Sequence, residues 1–151
     1  MLAKSELLMG RDTQYPTDYT QEISDNLDKL LIPMNQIRTI WAKPMIVNSG
    51  WRPPSINAET PGAAKASKHM IGLAVDISDT DGSLWSWVLQ NLDLMQQLGI
   101  YFEDKRWTPD WVHFQLGAPG SGKRIFVPSS APASAPDAWD GQYDSKYDET
   151  V

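Results

Sequence analysis

The chain contains two histidines, and each falls in an apolar segment where an imidazole must find a partner. The first segment is Ser67-Lys68-His69-Met70-Ile71-Gly72-Leu73-Ala74-Val75-Asp76-Ile77, and the second is Asp110-Trp111-Val112-His113-Phe114. A bend at Gly72 would bring His69 and Asp76 together, and a neighbouring strand carrying His113 would add a third donor. Gly72 and Ala74 leave room for close backbone packing. Two imidazoles, one carboxylate and an open fourth position form a catalytic zinc arrangement. The absence of cysteine excludes thiolate ligation and disulfides, so any metal must be held by nitrogen and oxygen. The residues alone leave a second reading open, with one histidine exposed and the other satisfied in a core.

The rest of the chain sets the frame for such a site. A length of 151 residues, 41% hydrophobic with seven Trp, suffices for one domain with a real core. No apolar run approaches the roughly 18 residues of a spanning helix. The start, Met-Leu-Ala-Lys-Ser-Glu, lacks the basic-then-apolar order of a secretory signal, so the expectation is a soluble product made without its own export signal. From Ser129 onward five acids face one lysine, so that tail carries −4 of the net −6. A nearly neutral body with an acidic tail argues against nucleic-acid binding, which needs a basic face.

Residues 1–20 show no sustained period and read as an extended arm. From Gln21 to Trp41, apolar residues recur at three- and four-residue steps, the period of an amphipathic helix, with a break predicted at Pro33. Strands are predicted at 44–48, 73–77, 100–102, 111–116 and 124–127, with a loop over 56–67. Ser83 is positioned to cap a helix running from Leu84 to Leu98. This order predicts an α+β fold, a small antiparallel sheet flanked by helices. The domain spans 21–128, and residues 129–151 form a Pro/Ser/Ala linker and an acidic, aromatic tail suited to a protein partner.

Three stretches also carry a resemblance. Ser-x-His-x-x-Gly-x-Ala-x-Asp at 67–76, Trp-Val-His at 111–113 and Asn48-Ser-Gly-Trp-Arg52-Pro-Pro resemble the zinc peptidase family of D-alanyl-D-alanine carboxypeptidases and related phage endolysins. The likeness covers roughly residues 30 to 117. It implies the α+β fold shared with the Hedgehog signalling domain, one Zn2+ per chain, and His69, Asp76 and His113 as its ligands. An acid three residues before the last ligand, usually Glu, serves as general base in that family, and here that position holds Asp110. Glu103 and Asp104 are reserve candidates, and Asp110 beside Pro109 also fits a turn cap. The resemblance further implies that Arg52 binds substrate and steadies the oxyanion, with Ser67 and Trp111 as further substrate contacts.

The implied substrate is a peptidoglycan stem peptide, cut either as a D-Ala-D-Ala carboxypeptidase or as an endolysin-type endopeptidase. Lack of an export signal suggests a phage or prophage product acting at the cell wall, and the composition predicts no membrane insertion. The alternative is a virion structural or binding module that keeps zinc for stability.

Overall fold

The computed structural model describes residues 1–128. The expected linker and tail at 129–151 lie outside the described residues. The helices are α1 (Lys4–Leu8), α2 (Arg11–Gln14), α3 (Gln21–Trp41), α4 (Pro54–Glu59), α5 (Ser83–Gln90) and α6 (Leu92–Leu98). The strands are β1 (Val47–Ser49), β2 (Ala74–Ser78), β3 (Ile100–Glu103), β4 (Trp111–Leu116) and β5 (Ile125–Phe126). They form one sheet in the order β1-β2-β4-β3-β5. The fold is α+β, as the sequence implies. The first four strands pair antiparallel, whereas β5 adds to β3 in parallel, so the sheet is mixed at one edge.

Strand alternation divides this sheet into two chemically distinct faces. Val75, Ile77, Ile100, Phe102, Val112 and Phe114 are buried in the core. Asp76, His113, Gln115, Trp111 and Glu103 alternate with them and line a cleft on the other side. Helix α3 starts at Thr20, whose Oγ1 accepts from the Ile23 amide, and buries Ile23, Leu27, Leu30, Met34 and Ile37 in the core. Each such side chain contributes about 1.5–3 kcal/mol.

Several local expectations are corrected. Helix α3 runs unbroken through Pro33. Proline in a helix interior costs about 3 kcal/mol, which the burial of the neighbouring apolar stripe offsets. The single helix expected from Leu84 is two, divided at Asn91, and Ser83 is the first helical residue rather than its cap. The Asp79 carboxylate caps α5 instead, accepting from the Leu84 and Trp85 amides at 3.0 and 2.9 Å. Part of the loop expected at 56–67 belongs to α4.

The extended arm is also corrected. Residues 4–8 and 11–14 are helical, and Leu2, Leu7 and Leu8 belong to the core. The Trp51 amide donates to the Leu7 carbonyl at 2.8 Å. At Gly50 a Cβ would lie 2.0 Å from the same carbonyl oxygen, so only glycine admits this approach. Short helices without a long period leave little trace in a sequence, because tertiary packing rather than propensity stabilises them.

Leu7→Ala should therefore lower unfolding free energy by about 2–5 kcal/mol in urea denaturation, as for a core leucine. A loss below about 0.5 kcal/mol, as for a surface position, would show that the N-terminal helix is peripheral.

Candidate metal centre

Each donor is delivered by a different local device. His69 sits on a 3₁₀ turn, Lys68–Ile71, rather than on a strand. Ser67 opens that turn, its Oγ accepting from the His69 amide at 3.2 Å. Gly72 closes it with φ of +79°, and a Cβ there would lie 2.9 Å from the Ile23 carbonyl oxygen, so the bend requires glycine. The chain then enters β2, which carries Asp76 directly opposite His113 of β4.

The three side chains converge as the sequence predicts. Asp76 Oδ1 lies 3.2 Å from His69 Nε2 and 2.9 Å from His113 Nδ1, and the two nitrogens are 3.2 Å apart. Zinc bonds of about 2.0–2.1 Å at tetrahedral angles place neighbouring ligand atoms about 3.3 Å apart, so the triangle fits one zinc after a small expansion. All three residues are buried. The remaining imidazole nitrogens are also engaged: His69 Nδ1 is 2.8 Å from the Gly50 carbonyl oxygen, and His113 Nε2 is 2.9 Å from Gln115 Oε1.

The electrostatics belong to a tightly coupled group. Burial holds the His69 pKa below the ordinary histidine value. Burial alone would raise the Asp76 pKa, but the charges and hydrogen bonds of both histidines overcome it and keep the carboxyl below the usual range. Burial would lower His113, yet the charge of Glu103 and the hydrogen bonds of Asp76 and Gln115 raise it to about 9. Arg52 is buried, with Nη2 at 3.9 Å from Asp76 Oδ2 and Nη1 donating to Asn57 Oδ1 at 3.3 Å.

A cleft of about 760 Å³ opens onto this group. Its walls come from Thr60–Lys68 on one side and from Ala118–Ser121 and Phe126–Pro128 on the other. Arg52, Ser67 and Trp111 line it.

Asp110 does not line the cleft. It is exposed at the turn before β4, where its carbonyl oxygen accepts from the Asp79 amide. Its side chain therefore stands outside the cleft that holds the trio. Asp104 is fully buried but clamped by the Arg106 guanidinium at 2.6 Å, outside the cleft. Glu103 does line the cleft, with Oε1 at 4.0 Å from His113 Nδ1. Burial raises its pKa above the usual glutamate value. Among the described residues, Glu103 and Asp76 are the carboxylates in this cleft. Gln115 escaped sequence reasoning, although a polar residue two positions after His113 on an apolar strand shares its face.

The family model of Peptidase M15 matches residues 4–114, from α1 to just past His113. The chain belongs to the Peptidase M15 family. No curated protein and no solved structure matches it. The M15 match makes the chain a member of a zinc-dependent peptidase family, and the trio supplies donors fitted to that metal. No described helix is long and apolar enough to cross a membrane.

Metal loading should displace a proton from His113, because only the neutral imidazole ligates. Below about pH 9 zinc affinity should fall roughly tenfold per pH unit, and titration in buffers of different ionisation enthalpy should show about one proton released. The metal-free fold has the converse dependence. A raised histidine pKa contributes stability that is fully present below about 6.5 and is lost as pH rises through about 9. Zinc affinity independent of pH between 6.5 and 9 would contradict this protonation state.

Proposed function

We propose that this M15 chain is a zinc metallopeptidase that hydrolyses a peptide bond in bacterial peptidoglycan stem peptides, with Glu103 rather than Asp110 as its general base. The observation that carries this reading is the position of Glu103, half-buried in the cleft beside the His69, Asp76 and His113 trio, 4.0 Å from His113 Nδ1. The cell-wall substrate rests on the family match and the sequence resemblance.

His69, Asp76 and His113 would hold a zinc ion, which when bound would supply Lewis acidity and lower the pKa of an attacking water. Glu103 accepts a proton from an attacking water, and its burial-raised pKa strengthens it as a base. It then returns the proton to the departing amine nitrogen. Arg52 sits at the edge of the group, where its guanidinium stabilises charge developing on the carbonyl oxygen. Ser67 and Trp111 contact the peptide along the cleft wall, as the sequence resemblance implies.

Both an endolysin-type endopeptidase and a D-Ala-D-Ala carboxypeptidase use this chemistry, and the products distinguish them. Digestion of purified peptidoglycan followed by mass spectrometry reveals released D-Ala in one case and new internal termini in the other. Action at the cell wall as a phage or prophage product belongs to the same proposal.

Glu103→Gln should reduce turnover about 10²–10⁴-fold while zinc remains bound, whereas Asp110→Asn should retain activity within a few fold. The acid limb of the pH–rate profile should lie above the ordinary glutamate range, in the direction of the Glu103 shift. An inactive Asp110→Asn together with an active Glu103→Gln would return the base to Asp110. Stoichiometric zinc with no cleavage of peptidoglycan would favour a binding module instead.

A further inference from the structure

We propose that Gln115 is a positioning residue that fixes the tautomer and ring orientation of His113, so that Nδ1 and not Nε2 faces the metal. This rests on reading the trio as the zinc site.

The argument begins with which atoms of Gln115 are committed. Its side chain is buried, with 4% exposure, so both ends of the amide must find partners within the protein. Nε2 donates to the Gly117 carbonyl oxygen at 3.1 Å, which can only accept. That bond assigns the amide orientation and turns Oε1 toward His113 Nε2 at 2.9 Å. A glutamine oxygen has no hydrogen to give, so the His113 nitrogen facing it must carry one. Once His113 is neutral, its single proton resides on Nε2, and the bare lone pair is on Nδ1, beside Asp76 and His69.

Strand geometry makes the contact reliable. Residues 113 and 115 are two apart on β4, so both side chains project from the same face of the sheet. Gly117, which anchors the amide, adjoins the Ala118–Ser121 wall of the cleft. One side chain therefore ties the orientation of a metal ligand to the position of that wall. His69 is held analogously by the Gly50 backbone carbonyl, which substitution cannot remove. Gln115 is accordingly the site at which ligand orientation can be tested by mutation. Outer partners of ligating histidines are typically worth 10–100-fold in metal affinity.

The test measures zinc affinity by competition with a chromophoric chelator, alongside melting of the metal-free protein. Gln115→Leu should weaken zinc about 10–100-fold, and Gln115→Glu, which keeps the acceptor, should bind at least as tightly as the parent protein. A purely structural glutamine would lower the melting temperature of Gln115→Leu and leave zinc affinity unchanged, which overturns the proposal. Because Gln115→Leu could fail to fold, 15N correlation spectra of the zinc-loaded parent protein provide a second measurement. They should show His113 with its proton on Nε2, and a proton on Nδ1 would overturn the proposal. Failure of the parent protein to bind zinc would overturn the zinc reading and this inference together. Tight zinc binding by both parent protein and Gln115→Leu would overturn this inference alone.

Discussion

The pairing of Asp76 with His113 across β2 and β4 is the constraint on which the rest of the site depends. Strand side chains alternate strictly, so sliding either strand by one residue would bury His113 or Asp76 among Val75, Phe114 and Val112. Isolated charges in that layer would cost several kcal/mol each. The correct register instead gathers them on the cleft face. The neighbouring β3–β4 register, Phe102 opposite Phe114, continues by one residue to place Glu103 beside His113. One row across the sheet thus holds Asp76, His113 and Glu103, with Phe126 of β5 next to Glu103.

A second constraint lies at Gly50, Trp51 and Arg52, which join otherwise separate parts of the fold. The Gly50 carbonyl oxygen faces His69 Nδ1, the Trp51 amide reaches the Leu7 carbonyl, and the Arg52 amide donates to the His69 carbonyl at 3.0 Å. Arg11 donates to the Trp51 carbonyl, and Trp51 Nε1 donates to the Met70 carbonyl. The two N-terminal helices therefore brace the segment that orients a metal ligand. The family match likewise includes these helices, beginning at residue 4, well before the motif residues.

What the sequence disclosed depended on whether the signal was local. The amphipathic period of α3, the turn chemistry at Gly72 and the three ligands could be read because each is written within a few residues of itself. The helices at 4–8 and 11–14 are too short for a period to register, and they fold because Leu2, Leu7 and Leu8 find the core. The capping role of Asp79 depends on its placement after β2, not on the residue adjoining the helix. Glu103 was visible only as an acid at a strand end. Its place in the cleft, which Asp110 does not share, required the strand register, which no single segment contains. Position 110 shares the alternation of Val112 and Phe114 rather than that of His113, so continuing the strand backwards turns it away from the cleft.

Charge balance connects this arrangement to chemistry. Without metal, the group sets Arg52 and protonated His113 against the carboxyl groups of Asp76 and Glu103, so opposite charges offset one another in a low-dielectric site. A divalent cation held by the trio in place of the His113 proton would add one positive charge to the group. In the proposed mechanism, proton transfer from a neutral water to Glu103 leaves the total charge unchanged but sets one more positive unit on the protein groups against the anionic tetrahedral intermediate of amide hydrolysis. The same residues that make the metal-free protein stable thus become selectively complementary to the transition state, and only once the metal is in place. In the proposed mechanism, removing Glu103 would change that balance as well as the proton path, whereas Asp110, exposed at its turn, would contribute to neither.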